Sequence, residues 1–244
     1  MSNFTSSIRQ RYLQTLDAIV VSARKAGRDL DSVRLVVVTK LQPIEVVEAA
    51  IEAGAKILGE NYPEEAVEKI TKLKSANAVE WHIIGHVQSR KARLVAEHFA
   101  LFQSLDSLKL AERVDHFAAE FHRTLPVLLE FNVGGEESKS GWDASNETHW
   151  MDLLNDVHAV ASLKNLQIRG LMTMPPLFTE PEAARPYFQR LRRLRDFLAK
   201  QVPHVEWNEL SMGTSADYTV AVEEGATLVR VGQAIVGQRP PHGD

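Results

Sequence analysis

A lysine ends the run Arg34-Leu35-Val36-Val37-Val38-Thr39-Lys40, and Pro43 follows three residues later. Four consecutive aliphatic residues in so short a run mark a strand buried on both faces, as in a parallel sheet. Where such a strand opens into a pocket, an ammonium loses hydration and its pKa falls. The amine then becomes a nucleophile able to form a Schiff base with an aldehyde. The competing reading is a strand-end lysine that snorkels to solvent. A second group lies far along the chain, in Ser211-Met212-Gly213-Thr214-Ser215 and Arg230-Val231-Gly232-Gln233-Ala234. Glycines let a backbone approach a ligand closely, and N–H groups at a helix amino terminus bind anions. The two stretches together read as a phosphate cradle, against the alternative of two tight turns. Arg230 points either into the same mouth or outward to a salt bridge. If inward, its permanent charge opposes protonation of any pyridine nitrogen it faces.

Other residue types exclude chemistry. His82 and His86, four apart, would be separated by roughly 13 Å in a strand, and Gly85 between them disfavours a helix, so no metal pair is expected. Asp106, in Leu105-Asp106-Ser107, reads as the N-cap of a following helix rather than an acid catalyst. Met172 and Met174 read as packing residues. With no cysteine among 244 residues, disulfides, thiolate catalysis and thiolate metal sites are excluded. A formal net charge of -4 argues against nucleic acid or an anionic membrane as partner. The most basic stretch, Arg190 to Arg195, reads as the solvated face of an amphipathic helix. No apolar run approaches the roughly 20 residues of a membrane span, and the amino terminus has no signal-peptide pattern. The expected location is the cytoplasm.

These side chains need elements to hold them. Ile8, Tyr12, Leu13, Leu16, Ile19, Val20 and Ala23, at spacings of three and four, predict a helix over 7–28 with Asn3, Thr5 and Ser6 as candidate caps. After the strand at 34–40, Pro43 opens a helix that Gly54 closes. Further strands are predicted at 56–60, 80–86, 101–106, 125–132, 166–174, 205–210 and 227–231. Helices follow, starting near residues 63, 89, 107, 148, 181 and 215. Eight strand–helix units without a linker predict a single (β/α)8 TIM barrel domain spanning 1–244, with the extra N-terminal helix closing the outer ring. An open doubly wound sheet would place a glycine fingerprint after the first strand, and Thr39-Lys40-Leu41-Gln42-Pro43 has none. Barrel active sites lie at the carboxyl ends of the strands, with phosphate sites after the seventh and eighth. Those ends carry Lys40, Glu60 and Asn61, His82 and His86, Ser104 and Asp106, Asn132, Met172 and Met174, the 211–215 loop, and Arg230 to Gln233. A lysine, a phosphate cradle and an adjacent arginine suit an aldehyde bearing a phosphate, and pyridoxal 5′-phosphate (PLP) is the obvious one.

Seven motifs extend this. They are Val37-Val38-Thr39-Lys40, Gly59-Glu60-Asn61-Tyr62, His82-Ile83-Ile84-Gly85-His86-Val87-Gln88, Glu137-Ser138-Lys139-Ser140-Gly141, Arg169-Gly170-Leu171-Met172-Thr173-Met174, Leu210-Ser211-Met212-Gly213 and Val229-Arg230-Val231-Gly232. In this order the chain resembles, over almost its whole length, the YggS/PROSC-type pyridoxal phosphate homeostasis proteins, which look like the barrel domain of alanine racemase standing alone. The resemblance implies that Lys40 carries PLP as a Schiff base. It implies that Ser215 and Gly232, with the backbone at Gln233 and Thr214, hold the phosphate, and that Arg230 faces the pyridine nitrogen. Asn61, His86, Met174 and Met212 would line the pocket. Two positions depart from the family pattern. Ser89-Arg90-Lys91 stands where Asn-Lys is usual, and Gln233 replaces a threonine, which puts a side-chain phosphate contact there in doubt. The racemase's second domain, source of a tyrosine acid/base, is not expected in a chain ending at Asp244.

The resemblance therefore implies a non-catalytic PLP-binding protein acting in vitamin B6 homeostasis, with PLP-dependent apo-enzymes as candidate recipients. It expects a monomer and leaves a dimer open. A weakly active single-domain amino-acid racemase is the alternative, and a cofactor-free lysine aldolase a third reading.

Overall fold

The computed structural model describes residues 3–238. Its strands are β1 (Arg34–Val38), β2 (Ile57–Glu60), β3 (Glu80–Ile83), β4 (Leu101–Leu105), β5 (Leu125–Asn132), β6 (Trp142–Asp143), β7 (Leu166–Met172), β8 (Glu209–Ser211) and β9 (Leu228–Val231). All pair in parallel, and the ring runs β1-β2-β3-β4-β5-β7-β8-β9 before closing on β1. The two-residue β6 lies beside the end of β5, outside the ring. This is the expected closed eight-stranded barrel, with its helices outside.

The helices are α1 (Asn3–Lys25), α2 (Ile44–Glu52), α3 (Pro63–Lys72), α4 (Ala92–His98), α5 (Leu108–Glu120), α6 (Leu154–Ala161), α7 (Arg185–Gln201), α8 (Tyr218–Glu223) and α9 (Gln233–Val236). α7 shows the rule they follow. Phe188, Leu191, Leu194 and Leu198 recur at three- and four-residue spacing and are all buried. Between them Arg192, Arg193 and Arg195 reach Glu224, Glu147 and Asp196, so the basic stretch is an ion-paired outer face. In α3 Pro63 takes the first helical position, Glu64 and Glu65 the first turn, and Lys69 and Lys72 the last, an order that complements the helix dipole.

Two hydrophobic layers result. The larger lies between barrel and helices. The smaller consists of Val36, Ile57, Leu101, Leu128, Met172 and Leu228, each from a different strand. Period-two alternation sends these side chains into the barrel, where each buried aliphatic contributes about 1.5–3 kcal/mol. That layer fills the lumen below the mouth, so the mouth has a solid floor.

Some boundaries moved. α1 begins at Asn3, four residues before the predicted start, so Thr5 and Ser6 lie inside it and do not precede it. β3 stops at Ile83, three residues short of the predicted end, which puts His86 in a loop. β8 begins at Glu209, four residues late. Asp106 does not cap α5; the N-cap is Ser107, and Asp106 accepts a 2.6 Å hydrogen bond from His86 Nδ1. Among the described residues no helix is long and apolar enough to cross a membrane.

Candidate functional site

Lys40 sits in the turn after β1, half-buried, and its neighbours are tied down on both sides. Thr39, fully buried, donates its hydroxyl to Glu60 Oε1 (2.7 Å), and its carbonyl accepts from Lys69 Nζ (2.8 Å). Lys69 also bridges to Glu60 and Glu65, while Glu65 accepts the backbone N–H of Leu41 at 2.8 Å. Leu41 has φ +58°, a left-handed conformation uncommon for a side-chain-bearing residue, so the turn is held by this network and not by local preference. Burial pushes the Glu60 carboxyl up, against the opposing pull of Lys69.

The loops after β8 and β9 are stitched together. Arg230 N–H donates to Gly213 O (3.0 Å), and the N–H groups of Gly232 and Ala234 point at Ser215 Oγ (3.2 and 3.5 Å). Gly213, at φ +91°, makes the turn. A Cβ there would fall 2.5 Å from that of Ala221, so no larger residue fits. Thr214 is engaged locally, its N–H and hydroxyl both donating to Asp217 Oδ1.

Arg230 is 3% exposed and turns inward, which settles its direction. One arm donates to Ser211 Oγ, the other to Thr173 O (2.9 Å) and Met174 Sδ (2.9 Å). Desolvation brings its pKa down to about 10, while Glu130 and Asp217 oppose that shift, so it stays a cation near neutrality.

A cavity of about 380 Å³ at the mouth is lined by Lys40, Asn61, Met174, Thr214, Ser215, Arg230, Gly232 and Gln233, together with Val38, Ile84, Leu177 and Ala216. An adjoining hollow of about 330 Å³ shares Val38, Lys40, Gly232 and Gln233 with it. Eight of the ten residues singled out from sequence thus face one space. The other two are elsewhere. Met212 is fully buried in the shell core beneath the loop, and His86 is exposed on the rim against Asp106, outside the cavity wall. Early termination of β3 moves His86 off, and Met212 falls on the outward phase of β8's continuation. Asn61 is admitted by Gly85, where a Cβ would come within 2.6–2.8 Å of Asn61 atoms. Among the described residues no group of three or more His, Cys, Asp and Glu side chains is placed to hold a metal ion.

Sequence reasoning missed the apolar wall, Val38, Ile84 and Leu177, because aliphatic residues carry no chemical signature. It also missed Glu130, buried in β5 beside the mouth. Burial and Asp106 push its carboxyl up to about 7, against Arg230, His86 and Lys139. The signal was an acid inside a strand otherwise apolar from Val127 to Phe131. The folded protein holds a proton on Glu130 that the unfolded chain releases in the ordinary carboxyl range. Stability from this group is therefore present in acid and lost as pH rises toward 7. Unfolding measured between about pH 5 and about pH 8 should show a loss of up to about 3 kcal/mol that Glu130→Gln removes.

The alanine racemase N-terminal domain family model matches residues 15–240. The pyridoxal phosphate homeostasis protein of Vibrio alginolyticus is 38% identical over 237 residues, covering 96% of this chain and 98% of its own. PipY of Synechococcus elongatus PCC7942, solved with PLP bound, superposes with a TM-score of 0.79 at 34% identity, covering 94% of this chain and all of its own. Alanine racemase of Clostridium difficile 630 shares the fold, with a TM-score of 0.67 at 14% identity over 94% of this chain and 61% of that one. The chain belongs to the pyridoxal phosphate homeostasis protein family, whose barrel is the alanine racemase N-terminal domain.

Proposed function

We propose that the protein binds pyridoxal 5′-phosphate through Lys40 and acts in PLP homeostasis, buffering or delivering the cofactor without turning over a substrate. The observation that carries this reading is a single cavity holding an amine, a backbone N–H cradle and a buried cation. The residues fit the group. The space is of small-ligand size, and Asn61 Oδ1 is a buried polar atom on its wall without a hydrogen-bond partner. Lys40 would hold the aldehyde as a Schiff base, the Ser215 hydroxyl and the N–H groups from Gly232 onward the phosphate, and Arg230 the ring nitrogen. Asn61, Thr214, Met174 and the Gln233 backbone complete the wall. When bound, PLP supplies an electron-withdrawing ring for amino-acid chemistry, and that ring withdraws best with its nitrogen protonated. Arg230, a donor that cannot accept a proton from the nitrogen it faces, keeps the ring a weak electron sink. That favours a carrier over the alternative racemase, as do the relatives named for homeostasis.

The test is reconstitution of a PLP-dependent apo-enzyme with the holoprotein against an equal concentration of free PLP. A faster or more complete recovery supports delivery, and equal rates would argue for buffering alone. Incubation with L- and D-amino acids in deuterated water separates the racemase, because sustained α-carbon exchange would defeat the carrier reading. Ser215→Ala is expected to weaken PLP binding about tenfold while leaving pyridoxal, which lacks the phosphate, nearly unaffected. Equilibrium dialysis of both ligands checks this.

A further inference from the structure

Behind Arg230 a line of buried polar side chains crosses the barrel to its opposite rim. Arg230 Nη1 donates to Ser211 Oγ, Ser211 Oγ lies 2.6 Å from Gln103 Oε1, Gln103 Nε2 lies 2.8 Å from His82 Nδ1, and His82 Nε2 lies 3.2 Å from Glu80 Oε2. Arg230, Ser211, Gln103 and His82 are each at most 3% exposed, whereas the Glu80 side chain is 56% exposed. The five residues come from four strands: Arg230 from β9, Ser211 from β8, Gln103 from β4, and His82 and Glu80 both from β3.

Its polarity follows from the orientation of the Gln103 amide. A guanidinium only donates, so Ser211 accepts from it, and with Gln103 Oε1 facing it Ser211 sends its own hydrogen to that oxygen. The amide nitrogen of Gln103 then faces His82 Nδ1, which must be bare, and the imidazole proton sits on Nε2 against the Glu80 carboxylate. Burial lowers the His82 pKa, opposed by Glu80, in keeping with a neutral ring that has one donor and one acceptor nitrogen. Every hydrogen bond in the line thus runs from mouth to rim, from a cation to a carboxylate. Turning the Gln103 amide would require the other His82 tautomer as well.

We propose that Ser211 and Gln103 are positioning residues for the cofactor ring, fixing the Arg230 guanidinium against the pyridine nitrogen through a one-way hydrogen-bond line anchored at Glu80. This rests on the PLP reading of the mouth. The line does what a lone buried arginine cannot, since it removes the rotational freedom of the guanidinium. Thr173 O and Met174 Sδ fix the second arm, so Ser211 determines the tilt of the first.

The experiment loads the full-length protein with PLP labelled with ¹⁵N in the ring and reads the ring-nitrogen shift in wild type, Ser211→Ala and Gln103→Met. Wild type should show an unprotonated nitrogen accepting a hydrogen bond. Both variants should move that shift toward the free-base or protonated position and hold PLP about tenfold more weakly. Melting curves are taken in parallel. Variants that melt lower while the ring-nitrogen shift stays at the wild-type value would overturn the proposal and leave the line a structural filler. If Gln103→Met does not fold, Ser211→Ala, which deletes one oxygen, decides alone. A readout independent of cofactor is the ¹⁵N spectrum of His82 without PLP: the Nε2–H tautomer supports the line, and the Nδ1–H tautomer overturns it. A protein with the correct His82 tautomer that takes up no PLP would overturn the PLP reading, and the positioning role with it, while leaving the line itself standing.

Discussion

Replacing Lys40 with alanine is expected to abolish the borohydride-trappable adduct with PLP and to weaken PLP retention by at least about a hundredfold, ~2.7 kcal/mol. Lys40 is the amine on the cavity wall, in a turn whose flanking groups are each hydrogen-bonded. Lys40→Arg sharpens the test. It keeps a cation on the cavity wall, but a guanidinium stays protonated throughout the working pH range and presents no neutral nitrogen nucleophile. If the covalent bond matters, arginine should fail almost as badly as alanine. If charge alone matters, arginine should rescue. Reduction followed by peptide mass mapping reads the adduct, and equilibrium dialysis reads the affinity. A label of undiminished stoichiometry on Lys40→Ala would move the adduct to another lysine and remove the central residue of the proposed site.

The second large effect lies beneath that turn. Lys69→Met should destabilise the fold by about 3–5 kcal/mol, because it strands the fully buried Glu60 carboxylate whose Oε2 already has no hydrogen-bond partner. Glu65 would lose its ion pair but remains partly exposed, so its share is small. With Lys69 gone, the Glu60 carboxyl should stay protonated to a higher pH, since burial already pushes it up and its main opposing charge is removed. The double variant Glu60→Met with Lys69→Met takes out both charges and should lie closer to wild type than Lys69→Met alone. Denaturant unfolding of these two variants and of Glu60→Met alone checks the order. A double variant that is worse by the sum of the singles would mean the pair acts through packing. The functional link is direct: the network holds Leu41 at positive φ, so its loss should loosen the Lys40 turn and lower PLP affinity along with stability.

How far the site could be read without coordinates depended on the kind of residue. Lys40, Ser215, Arg230 and Gly232 were legible because strand ends and glycine turns are local features, and in a parallel barrel the carboxyl ends of the strands form the mouth. Whether Arg230 faced in or out was not legible, since both faces of a parallel strand are buried and alternation gives no clue. His86 and Met212 show the limit from the other side. Each sits in a motif beside true wall residues, yet a strand that ends three residues early, and the phase of one loop, turn their side chains elsewhere. Asp106 was read as a cap from its local context, and a histidine twenty positions away claimed it instead.

Sequence by itself determined the alternation of buried strands and amphipathic helices, the barrel that follows from eight of them, and the lysine and glycine-containing loops at its mouth. These are consequences of period and of glycine and proline placement, which act within a few residues. Tertiary structure decided what those residues meet: Lys69 beneath Lys40, Asn61 beside Gly85, and Gln103 between Ser211 and His82. Such pairs are up to 108 positions apart along the chain. The Ser211–Gln103 pair exists only because closing the ring brings β8 and β4 within hydrogen-bond reach across its lumen, where a buried polar group must find a partner.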